Sequence, residues 1–266
     1  MEARPQPFVV VSTAHGTMIV NRNDHHTSDS WAYGVGHQIL TSGSYDMQEI
    51  DLAKFLVSQK AQDGHVVAID AGANIGVHTI EWAKMLGSGG SVIAFEAQRA
   101  IYHALCGNIA INNCFNVSAH NYALGAGEDH IEIPVPDYNR PASFGSLELK
   151  QHDRSEFIGQ QLMHTTGVKV ISIDMLGLDQ CDFMKIDVEG MEMEVLEGAL
   201  DTIEANKPIM LIEYIKVDKD ELTAWLGNRG YDVYSFNHNF IAVHKSDKMA
   251  KHIHQDGDNI RIEGTE

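Results

Sequence analysis

From Val66 to Val243, short apolar runs rich in β-branched residues alternate with stretches whose apolar positions recur every three or four residues. That alternation predicts an open α/β sheet with crossover helices. VVAID, at 66–70, is apolar until its final acid and predicts a buried strand; after the loop AGANIG, Val77, Ile80, Ala83 and Leu86 mark one face of a helix. SVIAFE, at 91–96, predicts a second strand, and Ile101, Leu105 and Ile109 a second helix that stops at Asn112-Asn113. A third strand is expected around Val117 to Tyr122. VKVISID, near 168–174, and DFMKIDV, at 182–188, predict further strands, the latter leading into a helix lined by Leu196, Leu200 and Ile203. PIMLIEY, at 208–214, reads as another buried strand, followed by a helix marked by Leu222, Trp225 and Leu226. The runs at 231–236 and 240–244 flank an Asn-His-Asn turn and predict a terminal hairpin.

Elsewhere the alternation fails. The stretch 131–149 holds three prolines and a Ser/Gly cluster, so it predicts a hairpin or loop. Near the amino terminus, FVVV and TMIV predict a small hairpin, followed by a polar segment to Tyr45 and a helix from Met47 to Gln59. The chain therefore divides into an extension over 1–62, an α/β domain over 63–245 and a charged, His-rich tail over 246–266, expected to be disordered or to pair with a neighbour.

Composition narrows the partners. The 266 residues carry a formal charge of −18, and no two Lys or Arg residues are adjacent, which disfavours nucleic acid and anionic membrane surfaces. Three cysteines without CxxC spacing encode neither a disulfide framework nor a zinc site. No apolar run approaches the ~18 residues of a membrane span, and Phe8 to Val11 is too short for a signal core. The expectation is a soluble, cytoplasmic protein; oligomeric state leaves no mark on the sequence.

Chemistry concentrates where the predicted strands end. In Asp70-Ala71-Gly72-Ala73-Asn74-Ile75-Gly76 the glycines permit a tight turn at the carboxyl edge of the first strand, where open α/β sheets bind nucleotide-like ligands. The spacing is G-x-N-x-G rather than G-x-G-x-x-G, and Asp70 would repel a pyrophosphate but could receive an ammonium group. Glu96 ends the second strand twenty residues beyond Gly76, where an acid accepts hydrogen bonds from ribose hydroxyls. Lys185, Asp187 and Glu189 alternate along one side as the chain leaves the sheet, and Glu213 adds another acid at the same edge. Asp187, Glu189 and Glu213 could hold a hard cation or orient a substrate hydroxyl; a metal is the less favoured reading.

Taken together, VVAIDAGANIGVHT, the strand-ending FE, NVSAHNYALG, KIDVEGMEMEVLEGA and PIMLIEY resemble the FkbM family of S-adenosylmethionine-dependent methyltransferases. The resemblance covers 66–243 and implies a Rossmann-like seven-stranded sheet with helices on both faces, the last strand antiparallel. It implies O-methylation of a sugar, glycan or secondary metabolite. Carried over by position, cofactor binding falls on Asp70, Gly72, Ala73, Asn74, Gly76, Glu96 and Ala97, with Asn121, Tyr122 and Ala123 near the adenine. The chemistry falls on Lys185, Asp187, Glu189 and Glu213. FEA at 95–97 replaces the common FEP, which should alter the start of the next helix. SFGSL, at 143–147, resembles a Ser-rich stretch of the family, and the extension carries no transferable motif.

The implied mechanism is in-line transfer from the sulfonium to a substrate oxygen, with Asp187 or Glu189 as base or orienter and Lys185 setting that carboxylate's ionisation. Two rivals share the strand-two acid: a nicotinamide-dependent oxidoreductase, disfavoured by the loop spacing, and a non-catalytic adenosyl-binding protein.

Overall fold

The computed structural model describes residues 6–28, 31–150, 155–257 and 259–264. A hairpin of β1 (Phe8–Thr13) and β2 (Gly16–Asn21) is followed by the short pair β3 (His26–Ser28) and β4 (Trp31–Tyr33), then helices α1 (Val35–Ser42) and α2 (Met47–Ala61). Next come β5 (Val66–Ala71), α3 (Val77–Leu86), β6 (Gly90–Phe95), α4 (Arg99–Ile111), β7 (Val117–His120), β8 (Ala123–Leu124), β9 (Asp129–Pro134) and β10 (Thr165–Ile171). The chain continues through β11 (Phe183–Ile186), α5 (Glu192–Glu197), α6 (Leu200–Asn206), β12 (Ile209–Glu213), α7 (Lys219–Gly227), β13 (Tyr231–Phe236) and β14 (Asn239–His244), and ends in β15 (Ile253–Asp256) and β16 (Asn259–Ile262).

Seven strands form the central sheet in the order β13-β14-β12-β11-β5-β6-β7. β7, β6, β5, β11 and β12 are parallel, while β14 is antiparallel to both β12 and β13. This is the Rossmann-like α/β fold. From β5 the chain first builds outward through β6 and β7, then returns to place β11 on the other side, so a crevice opens at the carboxyl ends of the strands beside β5.

Strand alternation sorts the side chains into two cores. Val66 and Ala68 of β5, Phe183 of β11 and Ile209 and Leu211 of β12 enter the core beneath α2, α3 and α4. Their neighbours Ile69, Ala71, Met184, Ile186, Met210 and Ile212 enter the opposite core, with Val195, Ile203 and Leu222 of α5, α6 and α7. The same parity puts Asp70, Lys185 and Glu213 on the α2/α3 side of the sheet, in line with Ala68, Phe183 and Leu211. The position of the charged edge thus follows from register.

The amino-terminal segment shares the core of the α/β part. Met18, Val20, Ile39, Ile50, Leu56 and Val57 are buried in one cluster with Val66, Ile80 and Trp82. Buried Asn108 of α4 ties β2 to the first loop, donating to Ile19 O at 3.2 Å and Ile75 O at 2.8 Å. α1, inside the polar stretch, has no local sequence signal, because its cap comes from upstream: Asp24 accepts from Gly36 N at 2.8 Å and also from Phe144 N at 3.0 Å.

Other differences have local causes. The run near 168–174 joins a side sheet with β8 and β9, because only the second half of β10 is buried. The stretch 131–149, expected as a hairpin or loop, begins within β9, which pairs antiparallel with β10. The helix after β11 breaks into α5 and α6 at Gly198, where a Cβ would lie 2.0 Å from the Gly125 carbonyl oxygen. Instead of trailing free, the tail folds back as the β15/β16 hairpin, with Met249 and Ile253 in the α2/α3 core and Asp247 paired to Lys60 at 2.8 Å.

If the extension is part of one cooperative unit, Leu56→Ala should destabilise the whole protein by about 2–5 kcal/mol. Urea denaturation followed by both far-ultraviolet dichroism and tryptophan fluorescence should show one coincident transition moved to lower denaturant.

Candidate active site

A cavity of about 300 Å³ lies at the carboxyl edge, lined by Gly72, Ala73, Asn74, Glu96, Ala97, Tyr122, Ala123, Lys185, Asp187, Glu189 and Glu213 among others. Its floor is the turn from β5 into α3. Gly72 has φ 82°, and a Cβ there would sit 1.7 Å from the Asp187 carbonyl oxygen, so only glycine lets the two strand exits approach. Every amide of this turn has a partner within the protein. Gly72 N and Ala73 N donate to Phe95 O, Gly76 N to Ala73 O, Asn74 N to Glu96 Oε2 at 3.0 Å and Ile75 N to Asn74 Oδ1 at 2.7 Å.

Glu96 closes the second strand exit. Its carboxyl also accepts from Gln98 N at 2.7 Å; burial pushes its pKa up to about 7 although both amides favour the anion. Three expected cofactor positions do not line the cavity and support it instead. Asn121 donates to the carbonyls of Glu96 and Ala97 at 2.8 and 3.0 Å, and Gly76 starts α3 with φ 90° where a Cβ would meet Leu105. Asp70 accepts from Thr79 Oγ1 at 2.5 Å, and its second oxygen is buried without a hydrogen-bond partner among the described residues.

The acids expected to do chemistry come together. Asp187, Glu189 and Glu213 each bring a carboxylate oxygen within 4.8 Å of the others. Lys185, only 3% exposed, donates to Asp187 Oδ2 at 2.6 Å, and Lys216 pairs with Glu189. Burial would lower the Lys185 pKa, but Asp187, Glu49 and Asp70 outweigh it and hold the ammonium charged. Glu189 is pushed up to about 8 by burial and by Asp187, against the pull of Lys216; Glu213 is pushed up to about 10 by burial, Asp187 and Glu189. Three carboxylates could hold a hard cation, yet the two lysines already supply positive charge to two of them. Glu189 reaches the cluster through a left-handed backbone turn, φ 59°, rather than by strand alternation, which ends at Ile186.

A second wall comes from the extension, whose individual residues the sequence did not single out. Tyr33, Gly34, Val35, Gln38, Tyr45 and Glu49 of the extension line the cavity, as do His78 of α3 and Asn239 of β14. Glu49 Oε1 lies 3.2 Å from His78 Nε2, and Glu49 Oε2 accepts from Asn239 Nδ2 at 2.9 Å. Burial alone would raise the Glu49 pKa, but the His78 contact and Lys185 reverse that and hold it at about 2. Ser143, Gly145, Ser146 and Leu147 also line the cavity, and Lys216 Nζ donates to Ser146 O at 2.9 Å.

The model of the methyltransferase FkbM domain matches residues 70–233, from the end of β5 into β13. The chain belongs to the FkbM methyltransferase family. Its relatives by sequence include Methyltransferase 1 of Beauveria bassiana (strain ARSEF 2860), 29% identical over 145 residues, which are 49% of this chain and 57% of that protein. Methyltransferase sdnD of Sordaria araneosa is 25% identical over 185 residues, 60% of this chain and 66% of that protein. The chain thus spans less than two thirds of the length of either relative. Among solved structures, the methyltransferase FkbM of Methylobacillus flagellatus KT overlays with a TM-score of 0.48 and 19% identity, covering 68% of this chain and 44% of that one. Glu49 and Asn239 lie outside the residues matched to the FkbM domain.

Two outcomes follow from this geometry. Gly72→Ala should separate the exits of β5 and β11 and distort the cavity, seen as loss of ligand-induced protection of 70–76 in hydrogen exchange. A carboxyl whose pKa is raised on folding contributes less stability as pH rises through that range, so Glu213 weakens the fold between the ordinary carboxylate range and about 10. Glu213→Gln should therefore gain stability over wild type at pH 9 compared with pH 5, measured by urea midpoints at the two pH values.

Proposed function

We propose that the protein is an S-adenosyl-L-methionine-dependent O-methyltransferase acting on a hydroxyl of a small sugar, glycan or secondary metabolite. One observation carries the reading: a single cavity joins the Gly72–Glu96 turn to the Lys185, Asp187, Glu189 and Glu213 cluster. Glu96, Asn74, Ala97, Tyr122 and Ala123 would hold the adenosine part of the cofactor, and Gly72 and Ala73 would allow close backbone approach. When bound, the cofactor supplies a methyl group on a cationic sulfur. The acidic edge suits that positive charge, and the buried Asp70 oxygen, one layer behind the cavity wall and without a hydrogen-bond partner among the described residues, offers an acceptor for the ammonium end through water.

The chain's own contribution is placement. Asp187, fixed by Lys185, would accept a hydrogen bond from an acceptor hydroxyl; Glu189, held by Lys216 and raised to about 8, would share a proton there, and Glu213, protonated at neutral pH, would donate one. The wall formed by Tyr33, Tyr45, Ser143 and Ser146 would select the acceptor's shape. A nicotinamide dinucleotide is disfavoured because all five amides of the 72–76 turn are satisfied internally, leaving none for a pyrophosphate.

A panel of sugars, glycosides and hydroxylated metabolites incubated with methyl-labelled cofactor should yield label on an acceptor oxygen. Asp187→Asn, which loosens acceptor placement, should cut that rate by about 10²-fold. Label found on nitrogen or carbon, or reduction of NAD by the same panel, would contradict the assignment.

A further inference from the structure

A hydroxyl becomes a competent nucleophile as its proton leaves, and the carboxylates of the cluster are poorly placed to take it. Asp187 is bound to Lys185 at 2.6 Å, Glu189 is bound to Lys216, and Glu213, at about 10, keeps its own proton at neutral pH. Two imidazoles line the cavity. His238 is exposed on the turn between β13 and β14, and its ring has no carboxylate partner among the described residues. His78 is different. It is 6% exposed, packs against Trp82, and its Nε2 is sealed from solvent, ion-paired with Glu49 Oε1 at 3.2 Å though not aligned for a hydrogen bond.

A nitrogen buried against an anionic carboxylate carries the ring proton, which leaves Nδ1 as the basic atom. Nδ1 makes no hydrogen bond to a described residue, and the cavity is the space that the ring borders. Glu49 is itself fixed by Asn239, and the groups around it are Lys185 from β11 and Tyr45 and Asp46 from the turn into α2. A base oriented through its second nitrogen by an immobilised carboxylate is a recurring catalytic arrangement. We infer that His78, oriented by Glu49 of the extension, is the general base that accepts the acceptor's hydroxyl proton on Nδ1.

This inference rests on the methyltransferase reading. As the acceptor oxygen bonds to the methyl carbon, the carbon–sulfur bond breaks with its electron pair left on sulfur. The hydroxyl proton passes to Nδ1, and the imidazolium, balanced by Glu49, releases it to water. The assignment makes the extension part of the reaction: the base lies inside the FkbM domain, and its orienter lies before it.

The test begins with ring-nitrogen NMR on the full chain, 15N-labelled at histidine and saturated with S-adenosylhomocysteine, with His78→Gln assigning the signal. At pH 8 the expected state is a proton on Nε2 and a bare Nδ1. Glu49→Ala should mix the two tautomers, while Glu49→Gln, which keeps an oxygen for Nε2–H, should preserve the bias. A proton on Nδ1, or a tautomer indifferent to Glu49→Ala, overturns the proposal. With the acceptor from the labelled panel, His78→Gln should lower kcat by about 10²-fold or more while KM and S-adenosylhomocysteine affinity stay within about twofold. A change confined to KM, or none, also overturns it. Failure of S-adenosylhomocysteine to bind would instead overturn the methyltransferase reading, and the tautomer measurement on the unliganded chain still decides the role of Glu49.

Discussion

The site is organised around a buried ammonium. Lys185 sits 3% exposed at the end of a central strand, where an unpaired charge would cost several kcal/mol, on the order of what a whole side chain contributes to stability. Its position is tolerable because negative charge approaches from three elements: Asp187 from its own strand exit, Asp70 from β5 and Glu49 from α2. Two of those partners, Asp187 and Glu49, line the cavity and are held there by the same charge. The remaining acids feel the consequence: with Lys185 committed to Asp187 and Lys216 to Glu189, Glu213 has no cation of its own and stays protonated.

Much of this was readable from the chain because a strand has period two and a helix period 3.6. The apolar runs within 66–70, 91–96, 182–188 and 208–214 announce buried strands, and the charged residues at or near the end of each are then forced to the carboxyl edge. The meeting of Asp187, Glu189 and Glu213 follows from that edge once β11 and β12 are neighbours. What stayed hidden has a common cause. α1 is capped by Asp24, twelve residues upstream; Glu49 meets His78 and Asn239 across long separations; Gly198 breaks a helix because of the Gly125 carbonyl. None of these contacts has a local period or spacing to betray it.

The same distinction separates what binds from what supports. Asp70, Gly76 and Asn121 belong to the motif-bearing segments, yet they act one layer back: Asn121 fixes the carbonyls that follow Glu96, Gly76 allows α3 to start against Leu105, and Asp70 anchors Thr79 near Lys185. Conversely, the extension carries no recognisable motif but supplies a whole wall of the cavity. The segment matched to the FkbM domain and the extension thereby line one cavity and share one hydrophobic core.

The central claim is that the carboxyl-edge cavity takes an adenosyl sulfonium ligand through Glu96 and the 72–76 turn. Isothermal titration of the folded chain with S-adenosylhomocysteine tests it most directly. The account predicts saturable one-to-one binding, no heat with NAD, and an affinity lowered at least about tenfold in a Glu96→Ala variant that keeps its native dichroism. Binding of NAD in place of S-adenosylhomocysteine, or of neither, by natively folded protein would contradict it.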